Sequence, residues 1–187
     1  GGTVTSASTF VRQQLESYMG RVNYTFNDKY LLTLTGRADG ASQLAPDNRW
    51  AFFPSGAFAW QAGDEDFIRD LNVFSDLKLR ASWGQLGNDK IPNYQYYSTV
   101  SSVGSPTLGG NAYTAVAQNR YSNPNIQWEV TTQTDLGIDA SFLNDRLSLT
   151  ADYFDKKTTD ILVQVPMVSS LGVGSAPFRN AGEVSNK

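Results

Sequence analysis

The sequence predicts an all-β fold, an antiparallel sheet of about six to seven long strands that crosses a membrane as a segment of a β-barrel. Three observations carry that prediction. Side chains alternate apolar and polar with a period of two over long runs, which strands show when one face meets an apolar medium. Connections between the runs alternate short and long, the rhythm of periplasmic turns and external loops in membrane barrels. Aromatic residues collect at both ends of the runs, where rings with an apolar body and a polar tip favour the headgroup level.

The first run sets Tyr18, Gly20, Val22, Tyr24 and Phe26 against Met19, Arg21, Asn23 and Thr25. The second sets Tyr30, Leu32, Leu34, Gly36 and Ala38 against Leu31, Thr33, Thr35, Arg37 and Asp39, with Asn27-Asp28-Lys29 as a tight polar turn between them. A loop around 41–48 leads to Trp50, Phe52, Pro54, Gly56, Phe58 and Trp60, alternating with Phe53, Ser55, Ala57, Ala59 and Gln61. Pro54 removes one ladder donor, which makes this strand the least secure. Asp64 to Leu71 reads as a helical turn in a connector, with Asp64 as its cap and Phe67, Ile68 and Leu71 on one face.

Leu77, Leu79, Ala81 and Trp83 then oppose Lys78, Arg80, Ser82 and Gly84. Residues 87–125 are rich in Ser, Gly, Asn and Tyr without sustained alternation and read as one long loop. The clearest run is Ile126 to Phe142, whose even positions include Ile126, Trp128, Val130, Leu136 and Ile138, whereas its odd positions carry no large apolar side chain. After Leu143-Asn144-Asp145, Leu147, Leu149, Ala151 and Tyr153 oppose Ser148, Thr150, Asp152 and Phe154. A second long loop is expected over 156–179, and a seventh strand from Phe178. With short turns on the periplasmic side, Phe26, Tyr30, Trp60 and Phe142 form one aromatic girdle, and Trp50, Trp83 and Trp128 form the other.

Composition removes whole classes of chemistry. The 187 residues hold 15 Lys+Arg and 18 Asp+Glu, a formal net charge of −3, with no His and no Cys. Imidazole-based triads, HExxH zinc sites, thiolate metal sites and disulfides are therefore excluded. A pI near 4.9 and the lack of any basic run argue against a nucleic-acid partner. No leader precedes Gly1, so a signal peptide is expected to have been removed or to lie outside this stretch. Apolar stretches such as Ala51-Phe52-Phe53-Pro54 are far shorter than the roughly 20 residues of a membrane helix. The mean hydropathy of −0.36 leaves membrane strands open, because only every second residue of such a strand is apolar.

Specific words then join the pattern. Tyr30-Leu31-Leu32-Thr33-Leu34-Thr35, Arg37, Asp39-Gly40, Ser42, Arg49-Trp50 and Phe53-Pro54-Ser55 form an ordered series. It continues through Leu77 to Gly84, Gly87-Asn88, Asn123 to Glu129, Thr132-Gln133, Arg146-Leu147-Ser148, Asp152-Tyr153-Phe154 and Lys156-Lys157-Thr158. Asn180 to Val184 with Asn186-Lys187 completes it. The series resembles the barrel of the SusC/RagA family of TonB-dependent outer-membrane transporters of Bacteroidetes-type bacteria, and it covers roughly Tyr18 to Lys187. The resemblance implies that residues 1–187 are the C-terminal part of a larger barrel of 22 strands, with plug domain and N-terminal strands absent.

It further implies TonB-dependent uptake in the cell outer membrane of a large nutrient, an oligosaccharide or other glycan, or a peptide. The implied partners are a SusD-like surface lipoprotein, TonB acting through the absent plug region, and outer-membrane lipid. The expected class is therefore a transporter and not an enzyme, without cofactor or metal, and no residue is singled out as catalytic or substrate-binding. The alternative is a secreted β-sandwich carbohydrate-binding module.

Weaker features fit the same picture. Arg21, Arg37, Asp39, Arg80, Glu129, Asp135 and Asp152 are expected to face the barrel interior and hold a plug through charge-assisted hydrogen bonds. A glycosidase would use a carboxylate pair such as Asp135 and Asp139, and these are expected instead to be solvated or paired with Arg. Asp64, Glu65 and Asp66 sit in a connector. Tyr94, Tyr96, Tyr97, Tyr113 and Tyr121 crowd the long loop, where they either stack on sugars or a protein lid or pack on one another. Gly109-Gly110 and Gly172-Val173-Gly174 read as flexible turns, and the glycosylation triplet Asn23-Tyr24-Thr25 falls inside a strand.

Overall fold

The computed structural model describes residues 10–91, 93–166, 168 and 175–187. Its strands in chain order are β1 (Leu15–Phe26), β2 (Tyr30–Ala41), β3 (Trp50–Gln61), β4 (Phe74–Asn88), β5 (Thr99–Gly104), β6 (Thr107–Leu108), β7 (Asn111–Ala112), β8 (Ala115–Arg120), β9 (Glu129–Phe142), β10 (Leu147–Gln164) and β11 (Phe178–Asn186). A short helix, α1 (Asp66–Arg69), lies between β3 and β4. Seven strands form one sheet in the order β1-β2-β3-β4-β9-β10-β11, and every neighbouring pair is antiparallel. The remaining strands make two two-stranded hairpin sheets, β5-β8 and β6-β7, inside the segment between β4 and β9. No helix among the described residues is long and apolar enough to cross a membrane.

The register carries the alternation across the sheet. Val22 stands opposite Leu34, Tyr24 opposite Leu32, Leu32 opposite Phe58, Leu79 opposite Ile138, and Leu136 opposite Tyr153. These apolar side chains form one continuous face and are exposed: Val22 at 65%, Leu34 at 51%, Phe52 at 63% and Leu136 at 52%. An apolar face of this extent is stable only when lipid or protein covers it. A β-sandwich would press a second large sheet against it, and the described residues form only one large sheet; the sandwich reading is thereby corrected.

The buried residues are few and sit at the two ends. At the short-turn end Ala62, Leu77 and Ala140 pack with Trp60, Ile68, Phe74 and Phe142. At the long-loop end Ala41, Leu44, Phe53, Ile91, Ile126 and Trp128 form the second cluster. Phe53 is paired with Arg37, so this cluster lies on the polar face.

The turns follow their residues. Asn27 and Asp28 both have positive φ, 51° and 55°, and Lys29 N donates to Phe26 O at 3.1 Å; this is the tight hairpin that Asn and Asp tolerate. Leu143, Asn144 and Asp145 turn the chain between β9 and β10, all with positive φ. Gly109 and Gly110, at φ 61° and 82°, turn the chain between β6 and β7. Gly172-Val173-Gly174 lies outside the described residues.

Four expectations about elements change. β4 reaches Asn88 and β10 reaches Gln164, so both loops are shorter than expected at one end; a bulge between Thr158 and Ile161 breaks the alternation that would have revealed the rest of β10. The segment between β4 and β9 is no featureless loop, because β5 and β8 pair within it. Pro54 does not interrupt β3: it pairs with Gly36 in β2, while the ladder to β4 begins only at Ser55. Asp64 does not cap α1, whose N-cap is Glu65, without a side-chain cap hydrogen bond.

Candidate functional site

The polar face of the sheet is a network of short-range bonds. Arg80 Nε and Nη2 donate to the two Asp139 oxygens at 2.7 and 3.1 Å, and Nη2 reaches Asp152 on β10 at 2.9 Å. One guanidinium thus ties β4, β9 and β10 together in the planar geometry that favours carboxylates. It passes over Gly137, where an added Cβ would lie 2.5 Å from Asp152 Oδ1 and 2.8 Å from Arg80 Cζ. Arg37 Nε donates to Asp39 at 2.7 Å, and Arg21 Nε to Thr35 Oγ1 at 3.1 Å. Asp135 accepts from Ser82 at 3.2 Å and from Gln133 at 2.8 Å. Asn23 Oδ1 accepts from Thr33 Oγ1 at 2.9 Å, a strand-to-strand contact on the same face.

The charged residues expected to face a barrel interior therefore share the polar face of the sheet, bonded to their own strands. Both Asp139 oxygens accept from Arg80, the arginine pairing expected of this carboxylate. Between the charges runs a trough of about 540 Å³, walled by Thr33, Thr35, Ser82 and Gln133 together with the apolar Trp83 and Leu86. Hydroxyls and amides of this kind suit water and polar solutes.

The segment Asn123 to Glu129 laces the long-loop end. Asn48 Nδ2 donates to the Pro124 and Ile126 carbonyls at 3.1 and 3.3 Å, and Trp128 Nε1 to Arg49 O at 3.1 Å. Trp128 does not join the aromatic girdle. It precedes β9, so strand phase does not govern it, and it is 4% exposed, edge-on to Phe53 with centroids 5.6 Å apart. Trp83 also departs from the outer end, since it stands within the ladder opposite Gly56 and Thr134. Trp50 keeps its place and stacks on Tyr18 at 5.9 Å.

Glu129 serves the sheet itself. Its Oε1 accepts from Leu162 N at 2.8 Å and its Oε2 from Asn88 at 2.6 Å. Asn180 donates to Asp160 O at 2.7 Å, and Asp160 has φ 58°. The two side chains bond backbone groups in and beside the irregular stretch of β10 between Thr158 and Leu162. Sequence reading missed the bonds of Asn180 and Leu162, because nothing in period-two alternation marks a bulge, and those of Asn48, which lies in a connection outside the strands.

At the short-turn end, Glu65 holds two connections together. It accepts from Lys29 Nζ at 3.0 Å, from the Tyr30 hydroxyl at 2.7 Å and from Trp60 Nε1 at 3.3 Å, while Tyr30 and Trp60 stack with centroids 6.3 Å apart. The hydrogen bonds from Tyr30 and Lys29 hold the Glu65 carboxyl below its ordinary pKa. Asp64 and Asp66 lie near Arg69, at 3.6 and 3.9 Å. The loop tyrosines divide. Tyr94, Tyr96 and Tyr97 pack on one another, with centroids 6.2 and 4.2 Å apart, whereas Tyr113 and Tyr121 stand apart from them, and Tyr121 lines a cleft with Asn125 and Arg179.

A single sheet with one exposed apolar face, an ion-paired polar face and aromatics at its rims is the wall of a membrane β-barrel. A profile of the family described as TonB dependent receptor-like, beta-barrel matches residues 1–187. The chain belongs to that family, with the SusC/RagA relationship that its motifs suggested.

Relatives include TonB-dependent receptor P26 of Formosa agariphila, 40% identical over 93% of this chain and 17% of that protein. TonB-dependent receptor SusC of Bacteroides thetaiotaomicron is 36% identical over 94% of this chain and 18% of that protein. The solved structure of the RagAB peptide transporter matches with a TM-score of 0.77 and 29% identity, over 92% of this chain and 19% of that one. The open-open state of the RagAB peptide importer matches with a TM-score of 0.79 and 29% identity, over 92% of this chain and 18% of that one. The chain therefore spans less than a fifth of the relatives it matches.

Proposed function

We propose that this chain is part of the barrel wall of an outer-membrane transporter that takes up a large nutrient, an oligosaccharide or a peptide, by TonB-dependent transport. The observation that carries this reading is the continuous exposed apolar face backed by a bonded polar face, which suits lipid on one side and a water-filled or plugged lumen on the other. In this reading the short turns face the periplasm and the long connections face outward, so that the polar trough lines the lumen.

A plug domain elsewhere in the full-length protein closes that lumen, and TonB pulls on the plug. A SusD-like lipoprotein lids the outer mouth, where the β5-β8 hairpin and the tyrosines stand. The relationship to SusC supports TonB-dependent uptake, and the solved RagAB peptide transporter supports the peptide alternative.

Fractionation of the native host tests the proposal. The expected result is recovery in the outer membrane, within a longer chain that co-purifies with a lipoprotein. Recovery as a free water-soluble protein of 20.5 kDa would overturn it.

A further inference from the structure

At the long-loop end, the segments entering β9 and β11 enclose a cleft of about 490 Å³. Hydrogen bonds fix its frame. Asn123 Nδ2 donates to Phe178 O at 2.7 Å, Gln127 N donates to Asn180 Oδ1 at 3.1 Å, and Asn180 Nδ2 returns to Gln127 O at 2.9 Å. Side chains of Tyr121, Asn125, Gln127 and Arg179 line the cleft, and no carboxylate is among its lining residues. Among the described residues, none of these four side chains makes a hydrogen bond or an ion pair of its own.

The frame is thus built, and these four side chains are exposed to solvent, with no hydrogen bond to another described residue. Each amide offers a donor and an acceptor side by side, matched to adjacent hydroxyls. A guanidinium presents a planar fork that matches a carboxylate, and a phenol ring adds a flat apolar surface with a polar tip. The ligand that satisfies this set has closely spaced hydroxyls, one negative charge and an apolar ring face. A peptide strand is recognised mainly through a row of main-chain partners, and here the backbone groups of Gln127 and the Phe178 carbonyl are already engaged.

We propose that this cleft is a capture subsite for a uronate unit of an acidic oligosaccharide, with Arg179 on the carboxylate and Asn125 and Gln127 on the ring hydroxyls. The proposal rests on the transporter reading above and selects within it the saccharide over the peptide.

Titration calorimetry on the full-length transporter purified in detergent tests it, with galacturonate and mannuronate tetramers as anionic probes and maltotetraose as the neutral one. The expected result is that a uronate tetramer binds more tightly than maltotetraose, and that Arg179→Gln weakens it roughly ten- to a hundredfold with little effect on maltotetraose. Asn125→Ala, at a side chain that bonds nothing described, should weaken both saccharides, and heat-modified gel mobility shows that each variant is assembled. Unchanged uronate affinity in both variants, or no binding of either uronate tetramer, overturns the subsite. Binding of a peptide library instead would leave the transporter reading standing while the subsite falls, whereas absence from the outer membrane removes both.

Discussion

Gly137 is small because a bridge crosses it. A methyl group there would meet Asp152 Oδ1 and the Arg80 guanidinium, so Gly137→Ala should break the Arg80–Asp152 bond and displace the guanidinium that also holds Asp139. Both ends of the lost bond are well exposed, at 39% and 51%, so solvent screening should keep the cost of losing the ion pair small. Urea unfolding of the refolded barrel checks this in a double-mutant cycle with Asp152→Asn. The two substitutions should be non-additive, and full additivity would mean that the bridge is not what the glycine accommodates. Glu65 gives a residue-scale prediction with a sign. Its pKa is lowered in the folded state by Tyr30 and Lys29, so its stabilisation is present above the ordinary carboxylate pKa of about 4.3 and is lost as pH falls through the lower folded value. Glu65→Gln should therefore be less stable than wild type at pH 7, with the gap narrowing in acid; an unchanged gap at low pH would refute the clamp.

At the scale of elements, each strand has two faces that tolerate charge differently. Leu136 lies on the apolar face opposite Tyr153 and Ala81, whereas Gln133 lies on the polar face opposite Gly84 and Lys156. Leu136→Arg should cost ~2–4 kcal/mol if it sits near mid-membrane and should block outer-membrane assembly, while Gln133→Arg should assemble. Equal yields of heat-modifiable barrel from the two variants would refute the assignment of faces. This two-faced pattern was legible in the sequence because alternation in β2, β3 and β9 is a direct record of which medium each side chain meets. Alternation fell silent where the ladder stops being regular. Trp128 sits just ahead of β9 and turns into the Phe53 cluster, and the bulge in β10 shifts the phase after Thr158. Glu129 read as a lumen-facing charge for a plug and Asn180 only as part of a motif, since their bonds to the β10 backbone exist only once the strands are paired. The β5-β8 hairpin escaped for a related reason: its register is irregular at two places, and few of its side chains are buried on either face, so no apolar period was selected.

At the scale of the whole molecule, the chain builds a wall and not a globule. Its core clusters are small and confined to the two ends, so most of the stabilisation that a water-soluble domain draws from burial must come from lipid and from neighbouring strands. β1 and β11 each pair on one side only, and such edges invite pairing with other chains. The exposed apolar face adds a second route to association. The 187-residue chain produced alone should therefore fail to persist as a monomer in water: sedimentation velocity without detergent should show polydisperse aggregates, and thermal unfolding should show no sharp cooperative transition. Detergent micelles should suppress the aggregation by covering the apolar face, yet the open edges should still permit strand-to-strand pairing between copies. A discrete 20.5 kDa monomer with cooperative unfolding in plain buffer would require another surface to cover Val22, Leu34, Phe52 and Leu136, and the barrel-wall description would then be wrong for the isolated chain.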